Sequence, residues 1–172
     1  MRGIQIGLRG TTDILFPVRN NPFALRRALH LPTLAPDAPC PVSQVDPTVQ
    51  FSIYGVGNGI GPGPAYPIVG TGTLQIAPPE NFGSTSWGGQ KVLWFVLPSY
   101  SGPVLIRGGR LDAPGLVRFE IGDVPPRELL IPGRNGPRGR PSYTRLEEPG
   151  CYAYQIDGTN FSGIIVFRAV RP

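Results

Sequence analysis

The chain has 172 residues, a length that suits one domain with its own core and leaves little room for two. Its 24 glycines and 22 prolines would signal low complexity in a polar chain; with 40% hydrophobic residues they read instead as turns between short apolar runs, which favours β structure over disorder. The formal net charge of +5 rests on arginine, Lys91 being the single lysine, a bias that genome composition explains as readily as a basic role, so charge alone names no partner.

Residues 1–36 differ from the rest. Arg2, Arg9, Arg19, Arg26 and Arg27 stand there against Asp13. Met1 to Gly10 is positively charged but lacks the apolar stretch of about 7 to 15 residues and the small-residue cleavage site of a signal peptide, so this start predicts no general export signal. No run nears the roughly eighteen consecutive apolar residues of a membrane span and no lipidation motif opens the chain, so a soluble protein is expected. Asn21 as cap and Pro22 in the first turn predict one short helix over Phe23 to Leu31. The prolines at 32, 36, 39 and 41 then impose an extended connector. The expected division is an N-terminal arm, 1–36, and a β-sandwich domain, 37–172.

Strand candidates follow at short intervals: 48–54, 66–69, 73–77, 91–97, 103–107, 116–121, 128–131, 151–156 and 163–169. Such a series predicts an all-β fold, an antiparallel β-sandwich of about eight or nine short strands. Val92 to Leu97 is apolar on both faces, so it is expected to be central, covered by the partner sheet and by a loop or the arm, with Trp94 in the core. Asp157-Gly158-Thr159-Asn160 closes the last hairpin, Asp-Gly tolerating positive φ. Residues 55–65 and 132–142 are expected as extended loops, the places where function concentrates.

Cys40 and Cys151 lie far apart in turn-rich contexts and form no CxxC, which predicts one long-range disulfide and an oxidising compartment. His30 is the single histidine and sits among leucines and prolines, so neither nucleophilic catalysis nor a His/Cys metal site has its usual residues. Asp112, Glu120, Asp123, Glu147 and Glu148 lack EF-hand spacing, and no cofactor is expected. The glycines from Gly55 to Gly63 fit no phosphate-loop pattern and precede no helix, so a nucleotide is rejected. Arg107, Arg110 and Asp112 flank a glycine turn that can hold an anion, although an Arg–Asp pair fixing the loop is the favoured reading. Arg134, Arg138, Arg140 and Arg145 are a candidate anion patch in a Gly/Pro-rich stretch, where a solvated loop is favoured. Trp87 beside Tyr100 or Tyr66 is a candidate aromatic platform, with a core lid as the commoner outcome. Asn160-Phe161-Ser162 matches the glycosylation sequon, but the turn accounts for Asn160 without it.

Cys40-Pro41-Val42-Ser43, Trp87-Gly88-Gly89-Gln90-Lys91-Val92-Leu93-Trp94, Gly102-Pro103 through Leu111-Asp112 and Pro149-Gly150-Cys151-Tyr152 together resemble a family of bacterial exported or lipoprotein-like proteins. In that family a CPV(S/T) segment opens the domain, a W-G-x-K-x-x-W strand and a G-P-x-x-I-x-G-R-R-L-D segment follow, and P-G-C-W begins the closing hairpin. The resemblance spans about residues 29 to 169. It implies an exported, Ig-like sandwich with the two cysteines paired, and it implies no activity. Tyr152 stands where the family commonly has Trp, and no export signal or lipid-attachment cysteine precedes the domain.

The resulting expectation is a non-enzymatic exported or cell-envelope module that binds a protein or glycan through Trp87, Tyr100, Arg107, Arg110 and Asp112, with nucleic acid not expected as a partner. Two alternatives stand beside it. One is a hydrolase of envelope polymers using carboxylates such as Asp112 and Glu120, which requires them to converge in one cleft. The other is a polyanion-binding module using the Arg134 to Arg145 stretch and the arginine-rich arm.

Overall fold

The computed structural model describes residues 22–35 and 37–172. Nine strands occur among them: β1 (Ala65–Ile68), β2 (Thr73–Gln75), β3 (Gly88–Val96), β4 (Val104–Arg110), β5 (Arg118–Phe119), β6 (Leu129–Ile131), β7 (Arg138–Leu146), β8 (Gly150–Asp157) and β9 (Ser162–Val170). They pair into a four-stranded sheet, β1-β3-β7-β5, and a five-stranded sheet, β2-β9-β8-β4-β6. The fold is an all-β sandwich, as the alternation of apolar residues demands.

Alternate residues of each strand meet in one core. β3 contributes Val92, Trp94 and Val96, β4 Val104 and Ile106, β8 Tyr152, Tyr154 and Ile156, and β9 Ile165, Phe167 and Ala169. Trp94 is fully buried and meets Tyr154 edge-on at 5.0 Å between ring centroids, while Tyr154 stacks on Phe167 at 4.4 Å. Each such side chain contributes roughly 1.5–3 kcal/mol through burial. Tyr154 keeps its hydroxyl satisfied by Thr144 on β7, 2.7 Å away, and burial pushes its pKa well up.

Five local expectations are corrected. Residues 48–54 form no strand: Phe51–Tyr54 is a 3-10 turn ended by Gly55 at φ 69°, and its rings cap the first sheet. The helix expected over Phe23 to Leu31 shrinks to a 3-10 turn, Pro22–Leu25, because the following residues hydrogen-bond to the second sheet rather than to each other; Asn21 lies outside the described residues. The loop expected over 132–142 gives way at Arg138 to β7, which pairs with β3 over its whole length, Arg138 opposite Val96 and Leu146 opposite Gly88. Pro141 is tolerated inside β7 because β5 reaches only Thr144 and Arg145, leaving Pro141 paired on one side, against Leu93. The edge strand β2 runs parallel to β9, the long intervening chain serving as the crossover. Gly158 does not use positive φ in the last hairpin; a Cβ there would run into the Phe161 ring.

Both outer faces acquire covers. Leu31, Leu34 and Cys40 pack on Cys151, Ala153 and Val166 of the second sheet. Val45, Val49, Phe51 and Tyr54 pack around Phe95 and Tyr66 on the first sheet, so the outward face of β3 is closed by a loop near its end. Its beginning, at Lys91, stays exposed.

Candidate functional site

The outer face of the second sheet carries a charge cluster that binds the arm. Asp157, fully buried at the end of β8, accepts hydrogen bonds from Arg107 Nη2 (2.8 Å), Ser162 Oγ (2.6 Å) and Gln155 Nε2 (3.0 Å), with Arg27 Nη1 3.5 Å away. Burial alone would raise its pKa; the bonds from Ser162, Arg107 and Gln155 outweigh this and hold the carboxyl below its usual range. Arg107 also donates to the Arg27 carbonyl, Gln155 donates to Ala28, and the His30 amide donates to Gln155. Arg107 is therefore occupied in fastening residues 27–30. Among the described residues the His30 ring makes no hydrogen bond to the cluster; its backbone amide does.

Arg110 and Asp112 form an ion pair at 2.6 Å, and the second oxygen of Asp112 accepts the Cys151 amide. Desolvation works against the Asp112 carboxylate, but Arg110 and the Cys151 amide prevail and lower its pKa. Beside them the Cys40–Cys151 disulfide spans 111 residues with Cα atoms 5.4 Å apart. This pair lines a groove of ≈ 480 Å³ together with Asp37, Arg168 and the disulfide, so its positive and negative groups balance. The geometry matches a loop-fixing pair. Asp112 and Glu120 do not converge: Glu120 lies beyond β5 on the other sheet, bound to Arg140 at 2.7 Å.

Trp87 and Tyr100, candidates for the binding surface, are each only 8% exposed, which for Trp87 is the core-lid outcome. Trp87 lies under Arg118, whose guanidinium carbon sits 4.8 Å from the ring centroid, and its carbonyl accepts from Arg145. Tyr100 donates to the Pro103 carbonyl at 2.8 Å and accepts the Thr159 amide at 2.8 Å, which ties two loops together.

The four arginines, a candidate anion patch for which a solvated loop was the favoured reading, are dispersed by β7. Arg138 is 2% exposed and donates to the carbonyls of Ser101, Gly102 and Arg134. Arg145 is fully buried and binds the carbonyls of Trp87, Gly88 and Glu120. Desolvation lowers the pKa of both. Arg140 is paired with Glu120, and Arg134 remains exposed. Glu120 adopts φ 67°, held there by Arg140 on its carboxylate, Arg145 on its carbonyl and its own amide on Tyr143.

A second groove, of ≈ 460 Å³, opens where β2 approaches β3. Thr73 and Gln75 line it from β2, Gln90 and Lys91 from β3, and Tyr143 from β7. Strand register places Tyr143 directly opposite Lys91, and Phe82 steadies the Tyr143 ring edge-on at 5.5 Å. Gln90 uses its oxygen to accept the Gln75 amide at 2.5 Å, which orients its nitrogen donors. Among the described residues, the Thr73 hydroxyl, the Gln75 side-chain amide, the Lys91 ammonium and the Tyr143 hydroxyl have no hydrogen-bond or ion-pair partner. The sequence did not point to this set. Tyr143 and Lys91 become neighbours through β7, and Gln75 and Gln90 through a contact between sheets.

Among the described residues no helix is long and apolar enough to cross a membrane, and no three His, Cys, Asp or Glu side chains gather as a metal site. No protein-family model, no curated protein and no solved structure matches this chain.

Proposed function

We propose that the protein is a non-catalytic binding module of the cell envelope or extracellular space, and that its contact site is the groove formed by Thr73, Gln75, Gln90, Lys91 and Tyr143. The observation that carries this reading is the contrast in how polar side chains are used. Arg107, Asp157, Arg110, Asp112, Arg138 and Arg145 are committed to internal bonds, whereas among the described residues the groove presents the Thr73 hydroxyl, the Gln75 side-chain amide, the Lys91 ammonium and the Tyr143 hydroxyl uncommitted beside a steadied aromatic ring, Gln90 alone of the five residues spending its side-chain oxygen on the Gln75 backbone amide. Ordered but unpaired polar groups around an apolar surface suit reversible contact with a polar ligand.

The disulfide supports an oxidising compartment, and the motif resemblance supports an exported, Ig-like bacterial module. The hydrolase reading is weaker because Asp112 and Glu120 sit apart and each is bound to an arginine. The polyanion reading is weaker because β7 buries Arg138 and Arg145.

The test is display of the full chain and of its Lys91→Glu/Tyr143→Ala variant on arrays of glycans and peptides. Spots bound by the natural chain and lost by the variant are expected, with no release of reducing ends or new amino termini. Binding that ignores the variant, or turnover of a bound ligand, overturns the reading.

A further inference from the structure

We infer that the groove between β2 and β3 takes an anionic oligosaccharide, with Lys91 reading the negative group and Tyr143 supporting a sugar ring. The inference rests on the binding-module reading and adds the ligand class.

Three features of the groove select this chemistry. First, its free groups are hydroxyls and amides, which both donate and accept, as the adjacent hydroxyls of a sugar require; an apolar ligand would leave them desolvated and unpaired. Second, the half-exposed ring of Tyr143, fixed by Phe82, offers an apolar surface for the C–H side of a pyranose next to those polar groups. Third, the groove contains a cation and no acidic side chain; Pro172 also lines it, and among the described residues no ion pair joins Lys91 to any group. Among the described residues Lys91 has no acidic partner and neither Asp nor Glu lines the groove, whereas Arg26, Arg107, Arg110, Arg140 and Arg171 each face one. An ammonium held without a counter-ion beside sugar-binding groups favours a ligand that supplies the charge.

The competing grooves fit this chemistry less well. The one beside the disulfide holds Asp37 and Asp112 along with its arginines, so it carries no excess charge to read. The one lined by Ile76, Pro78 and Pro79 contains Glu147 and lacks an aromatic ring.

Amide chemical shifts of the full chain, titrated with three probes at low salt, test the inference. The probes are tetragalacturonate for a carboxylate, a sulfated carrageenan tetrasaccharide for a sulfate ester, and cellotetraose as the neutral control. Perturbations at Gln75, Gln90, Lys91 and Tyr143 by one or both anionic probes, at least about fivefold tighter than cellotetraose, are expected. Lys91→Gln should remove that preference, and Tyr143→Ala should weaken every probe about tenfold. Which anionic probe binds identifies the charged group. Equal binding of cellotetraose, unchanged by Lys91→Gln, overturns the charge preference and leaves the groove as a binding site. Silence from all three probes overturns the saccharide assignment, while the array experiment separately decides whether the groove binds anything.

Discussion

The two outer faces of the sandwich are built from similar residues and used in opposite ways. On the second sheet, Asp157, Arg107, Gln155 and the disulfide are directed at residues 27–40, and the face is covered. On the first sheet the cover of residues 45–56 ends near Phe95, and Lys91 and Tyr143 stay accessible beside the edge of β2. A buried polar group is stabilised by a partner inside the protein, and on the covered face Asp157, the Gln155 side chain and Arg107 Nη2 have theirs, while the buried Arg107 Nε does not. Where no cover lies, partners are supplied by water or by a ligand. Substitutions on the covered face should therefore change stability, and those in the groove should change binding.

The largest effect is expected from the disulfide. Replacing both Cys40 and Cys151 with alanine frees a loop of 111 residues and should cost about 4 kcal/mol in denaturant unfolding. A loss below about 1 kcal/mol would mean that the remaining arm contacts already restrict the chain. Next comes Asp157→Asn, which strips the largely buried Arg107 of its charge partner and should cost about 3 kcal/mol near neutral pH. Its pH dependence follows from the depressed pKa. A carboxylate whose folded pKa lies below its unfolded value, about 4, contributes stability that is present above that value and lost as pH falls through the folded one. The gap between the natural chain and Asp157→Asn should therefore be full at pH 6 and shrink steadily below about pH 4. A gap independent of pH would show that the carboxylate's charge does not hold the arm.

A smaller effect is expected at the core's polar contact. Thr144→Val leaves the fully buried Tyr154 hydroxyl without its partner and should cost about 1–2 kcal/mol, whereas adding Tyr154→Phe should recover part of that loss. If the double variant is as unstable as the sum of the singles, the hydroxyl pair contributes nothing.

Thr144 also marks the limit of what could be read from the sequence. β3, β8 and β9 were legible because Val92 to Val96, Tyr152 to Ile156 and Ile164 to Phe167 are rich in aromatic and β-branched residues, which fit a half-buried pleat. β7 was not, because Arg-Gly-Arg-Pro-Ser-Tyr-Thr-Arg-Leu carries loop residues whose strand form comes from pairing with β3 and from inward hydroxyls satisfied across the core. The same omission concealed the groove. With β7 taken as a loop, Tyr143 has no fixed position against Lys91, and Arg138 and Arg145 look solvated although they bind backbone carbonyls. The disulfide and the Arg110–Asp112 pair were legible because one follows from cysteine arithmetic and the other from neighbours two residues apart. Trp87, followed by two glycines, was a candidate platform beside Tyr100 with a core lid as the commoner outcome, and loops tied down by Ser84 and Thr159 fold both rings inward.

The smallest stability effect is expected in the groove, and there it is the most informative. Among the described residues Lys91 has no ion pair and the Tyr143 hydroxyl has no protein partner, so Lys91→Gln and Tyr143→Phe should each shift unfolding by no more than about 0.5 kcal/mol. Tyr143→Phe keeps the edge-on contact with Phe82 and removes one hydroxyl, which separates the ring's support from its hydrogen bond. Paired unfolding and titration measurements on these variants should show unchanged stability with weakened binding. A loss of stability comparable to Thr144→Val would instead place the groove's residues among the fold's internal contacts, and the difference between the two outer faces would then be one of degree.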